Sequence, residues 1–207
     1  MKIIKPYTEI IDSINGQEIL KKIELCGRVC YKSEGRITDD SAEKFVASII
    51  KRGHEAVLEH VSFTVKFVVD RGVSHEIVRH RIASYCQEST RYCNYSKDDF
   101  ENEITVIEPF FIRERTDAWA NWICSCSRAE GAYFNLLNRG CTPQEARSVL
   151  PHSLKTEVVM TANLREWRTF FKLRTAETAH PQMREVTRPL LDELKTLIPV
   201  VFDDIVY

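Results

Sequence analysis

The chain has 207 residues, 43% of them hydrophobic, which is enough for one sizeable core, and no Gly-, Pro- or Ser-rich linker divides it. Its 29 Lys and Arg balance 30 Asp and Glu to a formal net charge of −1, which argues against the broad basic surface of a nucleic-acid or membrane-binding protein. We therefore expect a single domain over residues 1–207, with any basic site confined to a local segment.

The sequence shows no sign of a membrane span or a secretory signal. Its longest apolar runs are the length of strands, and residues 1–6 lack the apolar core of a signal peptide. Its seven cysteines include no C-x-x-C pair, which favours reduced thiols over a disulfide framework or a zinc site. These features predict a cytoplasmic protein without a metal centre.

The N-terminal third is predicted to contain two strands and two helices. Ile3 and Ile4 suit an edge strand, and residues 61–69 largely alternate apolar and polar side chains, the period of a half-buried strand. Capping-box sequences at 15–18 and 40–43 open the helices, and Gly53 ends the second. The predicted buried faces are Ile19, Ile23, Cys26 and Cys30 in the first helix and Phe45, Val46, Ile49 and Ile50 in the second.

Two histidines precede the second strand. His54 and His60 are six residues apart, whereas a helical zinc pair needs a spacing of four. A structural role is therefore favoured for His54.

Residues 79–91 concentrate arginine and serine to a degree that no protein core requires. A guanidinium fork grips two phosphate oxygens and a hydroxyl adds a third contact, so this composition suits a phosphate. Ser74 is expected to cap a short helix that ends near Arg81. Successive side chains on a helix point about 100° apart, so the RHR triplet cannot face one small ligand. The segment should serve two ligands, or a ligand and a neighbouring subunit.

The C-terminal half is predicted to interleave helices with strands. We expect a polar loop over 94–102, strands over 104–107 and 155–162, and helices over 116–138, 163–171 and 183–197. A capping box with proline at 142–145 opens a short helix, and residues 199–207 suit another. Residues 163–166 have capping-box spacing at the start of the 163–171 helix. Core candidates of the long helix are Trp119, Ile123, Ala129, Phe134 and Leu137. Without any G-x-G-x-x-G turn, this order predicts an α+β fold, with a mainly antiparallel sheet covered by helices.

The order Arg-His-Arg, two residues, Ser, four residues, Ser, one residue, Arg runs from Arg79 to Arg91 and resembles the signature of the flavin-dependent thymidylate synthases. The resemblance extends through residues 59–63, 145–147, 163–165 and 173–174. It implies reductive methylation of dUMP to dTMP, with methylenetetrahydrofolate as carbon donor and NADPH-reduced FAD as hydride donor. It also implies a homotetramer whose active sites are shared between chains.

The resemblance also implies roles for individual residues. The FAD-binding set is His60, Ser62, Arg79, His80, Arg81, Gln87, Asn163, Arg165 and Thr169. The dUMP-binding set is Glu76, Arg79, Gln87, Ser89, Arg91, Arg147 and Arg174. Arg174 would also be catalytic, since its permanent cation would favour an enolate-like uracil and make C5 nucleophilic. The pattern contains no cysteine, so no thiol nucleophile is expected.

Two other functions stay open on the sequence alone. An RNA- or DNA-binding module could place Arg79, Arg81 and Arg91 on phosphates and stack bases on Tyr85 and Tyr92, although the near-zero net charge disfavours it. A flavoprotein could also act on a different nucleotide. Blue absorbance of the purified protein separates the nucleic-acid module from both flavoprotein hypotheses.

Overall fold

The computed structural model describes residues 1–97 and 100–207 and has six strands and eight α-helices in that part of the chain. Strands β1 to β6 are Lys2–Ile4, Tyr7–Ile10, Ser62–Asp70, Ala83–Gln87, Thr105–Ile107 and Lys155–Asn163. Helices α1 to α8 are Gly16–Val29, Ser41–Lys51, Arg71–Ile77, Asp117–Asn138, Pro143–Ala146, Leu164–Arg174, Pro181–Leu197 and Pro199–Phe202. Short 3-10 helices cover Glu34–Arg36, Glu55–His60 and Arg147–Val149. Residues 98 and 99 of the predicted polar loop lie outside the described residues.

The main sheet has the strand order β2-β3-β6-β4, and β1 pairs with β5 in a separate parallel ribbon. Three contacts set the direction of β3 against β6. The Val61 carbonyl accepts from the Leu164 amide, the Thr64 and Thr161 hydroxyls bond, and the Arg71 amide donates to the Leu154 carbonyl. Positions on β6 fall as those on β3 rise, so the pair is antiparallel. The predicted α+β class and antiparallel sheet are confirmed.

The chain folds as two compact units built from interleaved segments. The first unit comprises residues 1–7, 67–79 and 86–159, and the second comprises 8–66, 80–85 and 160–207. Strands β3 and β6 each contribute residues to both units. The single domain over 1–207 stays a prediction.

Each unit has its own buried apolar cluster. In the first unit the cluster comprises Tyr95, Ile104, Val106, Cys126, Tyr133, Ala146 and Leu154. In the second unit, aromatic rings of α6 pack together: Trp167 stacks on Phe63 at 4.8 Å and meets Phe170 edge to face at 5.4 Å. Such ring pairs add to the stabilisation that burial of apolar area provides.

Arg168, also on α6, has 1% of its surface exposed. Its guanidinium donates to Glu55 at 3.1 Å, to both Asp204 oxygens at 2.6 and 2.7 Å, and to the Val201 carbonyl. A buried charge is tolerated when its donors are satisfied in this way. The hydrogen bond from Arg168 lowers the pKa of Asp204. We call Arg168 with these three partners the arginine clamp; it fastens the segment after α8 to α6.

Predicted capping boxes gave the starts of α1, α5 and α6 correctly. The side chains of Asn15 and Asn163 accept from backbone amides of α1 and α6, and the capping box of Thr142 opens α5. Thr116, which was not predicted as a cap, accepts from a backbone amide of α4. Asp40 departs from the prediction, since its carboxylate accepts from the Thr38 hydroxyl and makes no cap bond to α2. Ser74 was also wrongly predicted as a cap. Asp70 caps α3 through the Val73 amide at 2.7 Å, because α3 starts at Arg71.

Two predicted helix faces differ from the structure. Helix α1 buries Leu20, Ile23, Glu24 and Gly27, whereas Cys30 is exposed and Ile19 and Cys26 are half-buried. The face is rotated because Glu24, which apolar spacing ignores, is neutralised by Arg28 and hydrogen-bonded by Ser41. Helix α4 buries Cys126 and Tyr133, and its five predicted core residues are half-buried in the single chain.

Candidate active site

The segment 79–91 runs from the end of α3 through strand β4 into a turn. Strand β4 was not predicted, since the expected helix ended near Arg81 and no element was expected at 83–87. Ile82 has a left-handed φ of 68° between the RHR triplet and β4, which turns the chain sharply.

The division into units separates the predicted site residues into two groups. The second unit holds His60, Ser62, His80, Arg81, Asn163, Arg165, Thr169 and Arg174. The first unit holds Glu76, Arg79, Gln87, Ser89, Arg91 and Arg147. Except for Arg79 and Gln87, the residues predicted to contact FAD are in the second unit. Except for Arg174, the residues predicted to contact dUMP are in the first.

In the second unit, Arg174 and Glu166 lie at opposite nitrogens of the His80 ring. The Arg174 Nε–H donates to His80 Nε2 at 2.9 Å, and His80 Nδ1 lies 3.3 Å from Glu166 Oε1. A guanidinium can only donate, so Nε2 must accept and the ring proton must be on Nδ1, facing the carboxylate. The three side chains therefore form an ordered chain from carboxylate to imidazole to guanidinium.

Burial determines the protonation of the His80 and Glu166 side chains in this hydrogen-bonded series. Burial, and then the Arg174 cation, lower the pKa of His80 from 6.5 to about 4. The imidazole is buried, and its ring packs on Phe170 at 4.9 Å. Burial also raises the pKa of Glu166. At neutral pH a neutral His80 therefore lies beside a permanently charged Arg174.

Backbone contacts fix both members of the His80–Arg174 pair. The Tyr85 hydroxyl donates to the His80 carbonyl at 2.7 Å, and burial raises the pKa of Tyr85 to about 12, so the donor keeps its proton. Arg174 is the last residue of α6, and its carbonyl accepts from the Thr187 hydroxyl of α7 at 2.9 Å. A cation at a helix C-terminus is favoured by the helix dipole.

The other predicted site residues of the second unit differ in exposure and in the hydrogen bonds and ion pairs that they make within the protein. Arg165 is exposed and pairs with Glu59 at 2.6 Å. The Asn163 side-chain oxygen caps α6 at the Glu166 amide, which leaves the Asn163 amide nitrogen to donate elsewhere. The Thr169 hydroxyl donates to the Arg165 carbonyl at 3.2 Å. His60, Ser62 and Arg81 are exposed.

The exposed arginines of this set fit an anionic cofactor such as FAD, whereas His80 departs from its expected role in binding it. The exposed guanidinium groups of Arg81 and Arg165 could pair with a pyrophosphate. Both ring nitrogens of His80 already serve Arg174 and Glu166. Any contact of His80 with the cofactor would therefore use ring carbons or backbone atoms.

In the first unit, the turn after β4 brings Ser89, Thr90, Arg91 and Arg147 together. Arg147 Nη1 donates to the Thr90 hydroxyl at 3.1 Å, and the Ser89 hydroxyl accepts from the Arg91 amide at 3.3 Å. Arg91 and Arg147 are exposed, and the Arg91 guanidinium lies 5.4 Å from the centre of the Tyr92 ring. Two guanidinium groups beside hydroxyls make a donor set suited to a phosphate.

Gln87 has structural partners in the same unit. Its Nε2 donates to the Ser74 hydroxyl at 3.0 Å and lies 3.4 Å from the Thr156 hydroxyl, so this amide ties β4 to α3 and β6. The neighbouring Glu88 accepts from Lys155 at 2.9 Å. The Lys155 ammonium offsets the negative charge of Glu88. The candidate phosphate-binding residues at 89–91 therefore keep their positive character.

Glu166 and Thr90 are the site residues that sequence reasoning missed. Glu166 was assigned to the capping box of α6, and nothing in that role indicates a contact with His80, 86 residues away in sequence. Thr90 occupies a variable position of the motif, although its place between Ser89 and Arg91 was a usable signal.

Residues 1–97 and 100–207 contain neither a metal-binding cluster nor a membrane-spanning helix. In this part of the chain, no group of three or more His, Cys, Asp or Glu is arranged to hold a metal ion. Over the same residues, the helices are too short or too polar to cross a membrane.

Comparison with known proteins gives a consistent result. Residues 9–200 match the family model described as thymidylate synthase complementing protein. A Pyrococcus furiosus protein named flavin-dependent thymidylate synthase is 35% identical over 173 residues, covering 83% of this chain and 70% of the relative. Relatives of the same name occur in Geobacter sulfurreducens, 33% identical over 88% of this chain and 80% of the relative, and in Mycolicibacterium gilvum, 33% identical over 88% and 78%.

Proposed function

The chain belongs to the flavin-dependent thymidylate synthase family and is therefore an FAD-dependent enzyme that methylates dUMP; we propose that methylenetetrahydrofolate supplies the methyl carbon and that NADPH reduces the flavin. When bound, FAD supplies the redox chemistry, and the protein binds, orients and polarises the reactants.

The observation that carries the catalytic assignment is the bond between Arg174 and His80. It holds a permanent cation in one orientation without a competing positive charge, because the imidazole is neutral. Held this way, the cation can stabilise negative charge that develops on the uracil ring, which makes C5 nucleophilic. Arg174 is the proposed catalytic residue, and His80 and Glu166 are proposed to position it.

The phosphate of dUMP is proposed to bind at Ser89, Arg91 and Arg147. Support comes from the exposed guanidinium groups of both arginines beside the hydroxyls of Ser89 and Thr90. Arg79, exposed at the end of α3, belongs to the same proposal. Glu76 and Gln87 are proposed to contact the substrate more peripherally, and Gln87 would do so from its place between α3 and β6.

FAD is proposed to bind at His60, Ser62, Arg79, His80, Arg81, Gln87, Asn163, Arg165 and Thr169. The exposed cations Arg81 and Arg165 support this assignment for the pyrophosphate, and the free amide nitrogen of Asn163 supports it for a carbonyl or phosphate oxygen.

We further propose a cytoplasmic homotetramer with active sites shared between chains, without nucleic-acid or membrane partners. Free thiols at all seven cysteines, which lie within the described residues, support a reducing compartment. The half-buried apolar residues of α4 and the exposed rings of Phe110 and Phe111 support burial against a neighbouring chain. Sedimentation of the flavin-loaded protein tests the assembly, and a monomer that carries FAD and full activity would contradict it.

One experiment tests the activity itself. NADPH oxidation by the purified protein should be measured with and without dUMP and methylenetetrahydrofolate, with dTMP assayed as product. We expect dTMP to form when all substrates are present with FAD. A flavin-loaded protein that oxidises NADPH without ever forming dTMP would overturn the assignment in favour of another nucleotide substrate.

A further inference from the structure

A basic cavity of about 820 Å³ lies in the second unit, between the end of α1, the turn at 31–36 and helix α2. The cations that line it are Arg28, Lys32, Arg36, Lys44 and Arg52, and His54 lines it as well. Within the described part of the chain, no aspartate or glutamate lines it, and neither does any residue assigned above to FAD or dUMP. The cavity is therefore a separate feature with a strong preference for anions.

The cations come from two parts of the chain. Lys44 lies on α2 and Arg52 is the residue that caps its C-terminus, with Ser48 between them in sequence. At 1.5 Å per residue, Lys44 and Arg52 are about 12 Å apart along the helix axis. Arg28 comes from the end of α1, and Lys32 and Arg36 come from the turn at 31–36. Cations spread over this length suit an elongated chain of anionic groups better than one compact phosphate.

Most of this charge is available to a ligand. Arg28 is already paired with Glu24 at 2.7 Å and lies 4.7 Å from the centre of the Phe45 ring. Lys44 is partly neutralised, since it helps to lower the pKa of Asp40 after the larger effect of a hydrogen bond from Thr38. Lys32, Arg36 and Arg52 are exposed and make no ion pair within 4.0 Å among the residues that the structure describes. Within the described residues, these three cations are therefore available to an external anion.

We propose that this cavity binds the oligoglutamate tail of the folate substrate. The proposal rests on the proposed function, in which a folate donates the carbon. Folates end in glutamate, and further γ-linked glutamates extend this end into a flexible chain of carboxylates. Such a chain can place successive negative charges against several of the cations that line the cavity, where each contact is a charge-assisted hydrogen bond. The phosphates of NADPH are the other candidate source of anionic groups, and they are tested separately.

The experiment compares methylenetetrahydrofolate carrying one glutamate with the form carrying five. The double variant Arg36→Gln/Arg52→Gln removes one cation from the turn at 31–36 and one from the C-terminal end of α2. Its matched control, Lys22→Gln/Lys51→Gln, removes two exposed cations of α1 and α2 that do not line the cavity. KM and kcat are measured for both folates and for NADPH, and the dissociation constant of the pentaglutamate folate is measured by calorimetry with the FAD-loaded protein.

In the wild type, we expect a lower KM for the pentaglutamate folate than for the monoglutamate form. The cavity variant should raise the pentaglutamate KM by about tenfold, since two screened charge contacts are lost, and leave kcat, the monoglutamate KM and the NADPH KM unchanged. The same binding should weaken with added salt. The control variant should match the wild type.

Three results would overturn the proposal: equal KM values for the two folates in the wild type, equal effects of both double variants, or a change in the NADPH KM without one for the pentaglutamate folate. Absence of dTMP from either folate would instead contradict the proposed function. In that case the calorimetric titration still decides the cavity, because a dissociation constant that the cavity variant leaves unchanged refutes the binding of the tail.

Discussion

The Nε–H of Arg174 donates to Nε2 of His80 at 2.9 Å, and this bond requires an unprotonated nitrogen on the imidazole. His80 keeps that nitrogen free because burial and the neighbouring cation lower its pKa to about 4. The group that orients Arg174 therefore becomes protonated only in acid.

Arg174→Ala should reduce dTMP formation much more than it reduces NADPH oxidation by the bound flavin. Loss of a preorganised charge typically costs about 10²–10³ in rate. Arg174→Lys is the sharper test, because lysine keeps the charge and loses both the planar fork and the Nε donor to His80. Full dTMP synthesis by the lysine variant would show that this geometry is unimportant, and full synthesis by the alanine variant would remove Arg174 from the mechanism.

Glu166→Ala should lower kcat by about 10- to 100-fold through the orientation of Arg174, the usual cost of losing a supporting hydrogen bond of this kind. Without the carboxylate, the ring proton of His80 can move to Nε2, where it opposes the Arg174 donor. Glu166→Gln retains an acceptor and should restore most of the rate. FAD content and the dUMP KM are measured as controls, and equal rates for the two variants would contradict a positioning role.

The depressed pKa of His80 makes the protein less stable in acid. Unfolded His80 takes up a proton near pH 6.5, whereas folded His80 does so only near pH 4, so acidification between these values favours unfolding. Above pH 6.5 the neutral His80 makes its full contribution to the free energy of unfolding. Acidification removes at most about 3 kcal/mol of it, at about 1.4 kcal/mol per pKa unit. Thermal melts of the wild type and His80→Gln from pH 4 to 7 measure this difference.

We expect the wild type to lose stability faster than His80→Gln as the pH falls. The raised pKa of Glu166 has the opposite sign near its own titration, so both proteins are also compared in a Glu166→Gln background. Parallel stability profiles in that background would rule out His80 as the titrating group.

Arg147→Ala should mainly weaken the binding of dUMP. A phosphate contact is equally strong in the ground state and the transition state, so KM should rise while kcat changes little. Arg139→Ala, at the end of α4, removes another exposed arginine of the same unit and serves as the control. A fall in kcat at unchanged KM would instead place Arg147 in the chemical step.

Cysteine substitutions should leave dTMP synthesis intact, because no thiol nucleophile is expected. Burial raises the pKa of the Cys93 and Cys126 thiols, which makes them poor nucleophiles, and Cys86 is exposed on β4. Turnover of Cys86→Ala, Cys93→Ala and Cys126→Ala is measured with flavin content and melting temperature. Loss of turnover in a folded, flavin-loaded variant would show that a thiol takes part in the chemistry.

Sequence patterns predicted what local interactions decide. The starts of α1, α5 and α6 follow from caps within four residues, and β3 follows from its alternation. Strand β4 could not be predicted in this way, because its stability depends on pairing with β6, far away in sequence. The buried face of α1 was only partly predicted, because apolar spacing gives no sign that Glu24 is buried with its ion pair to Arg28.

The candidate site shows the same limit. Arg174 and His80 were identified through the resemblance to a known family, but their direct bond spans 94 residues of sequence and no motif records it. Glu166 was visible only as a helix-capping residue. Its second role depends on the tertiary packing of α6 against the segment at 80–85.

The arginine clamp has a consequence for the C-terminal segment. Chain ends usually fray, and their amides exchange with solvent within seconds. Here Arg168 holds the Val201 carbonyl and the Asp204 carboxylate, and the Tyr207 hydroxyl donates to Asp192 at 2.7 Å. Amides of residues 201–205 should therefore exchange deuterium as slowly as those in the middle of α6, and Arg168→Met should release them selectively.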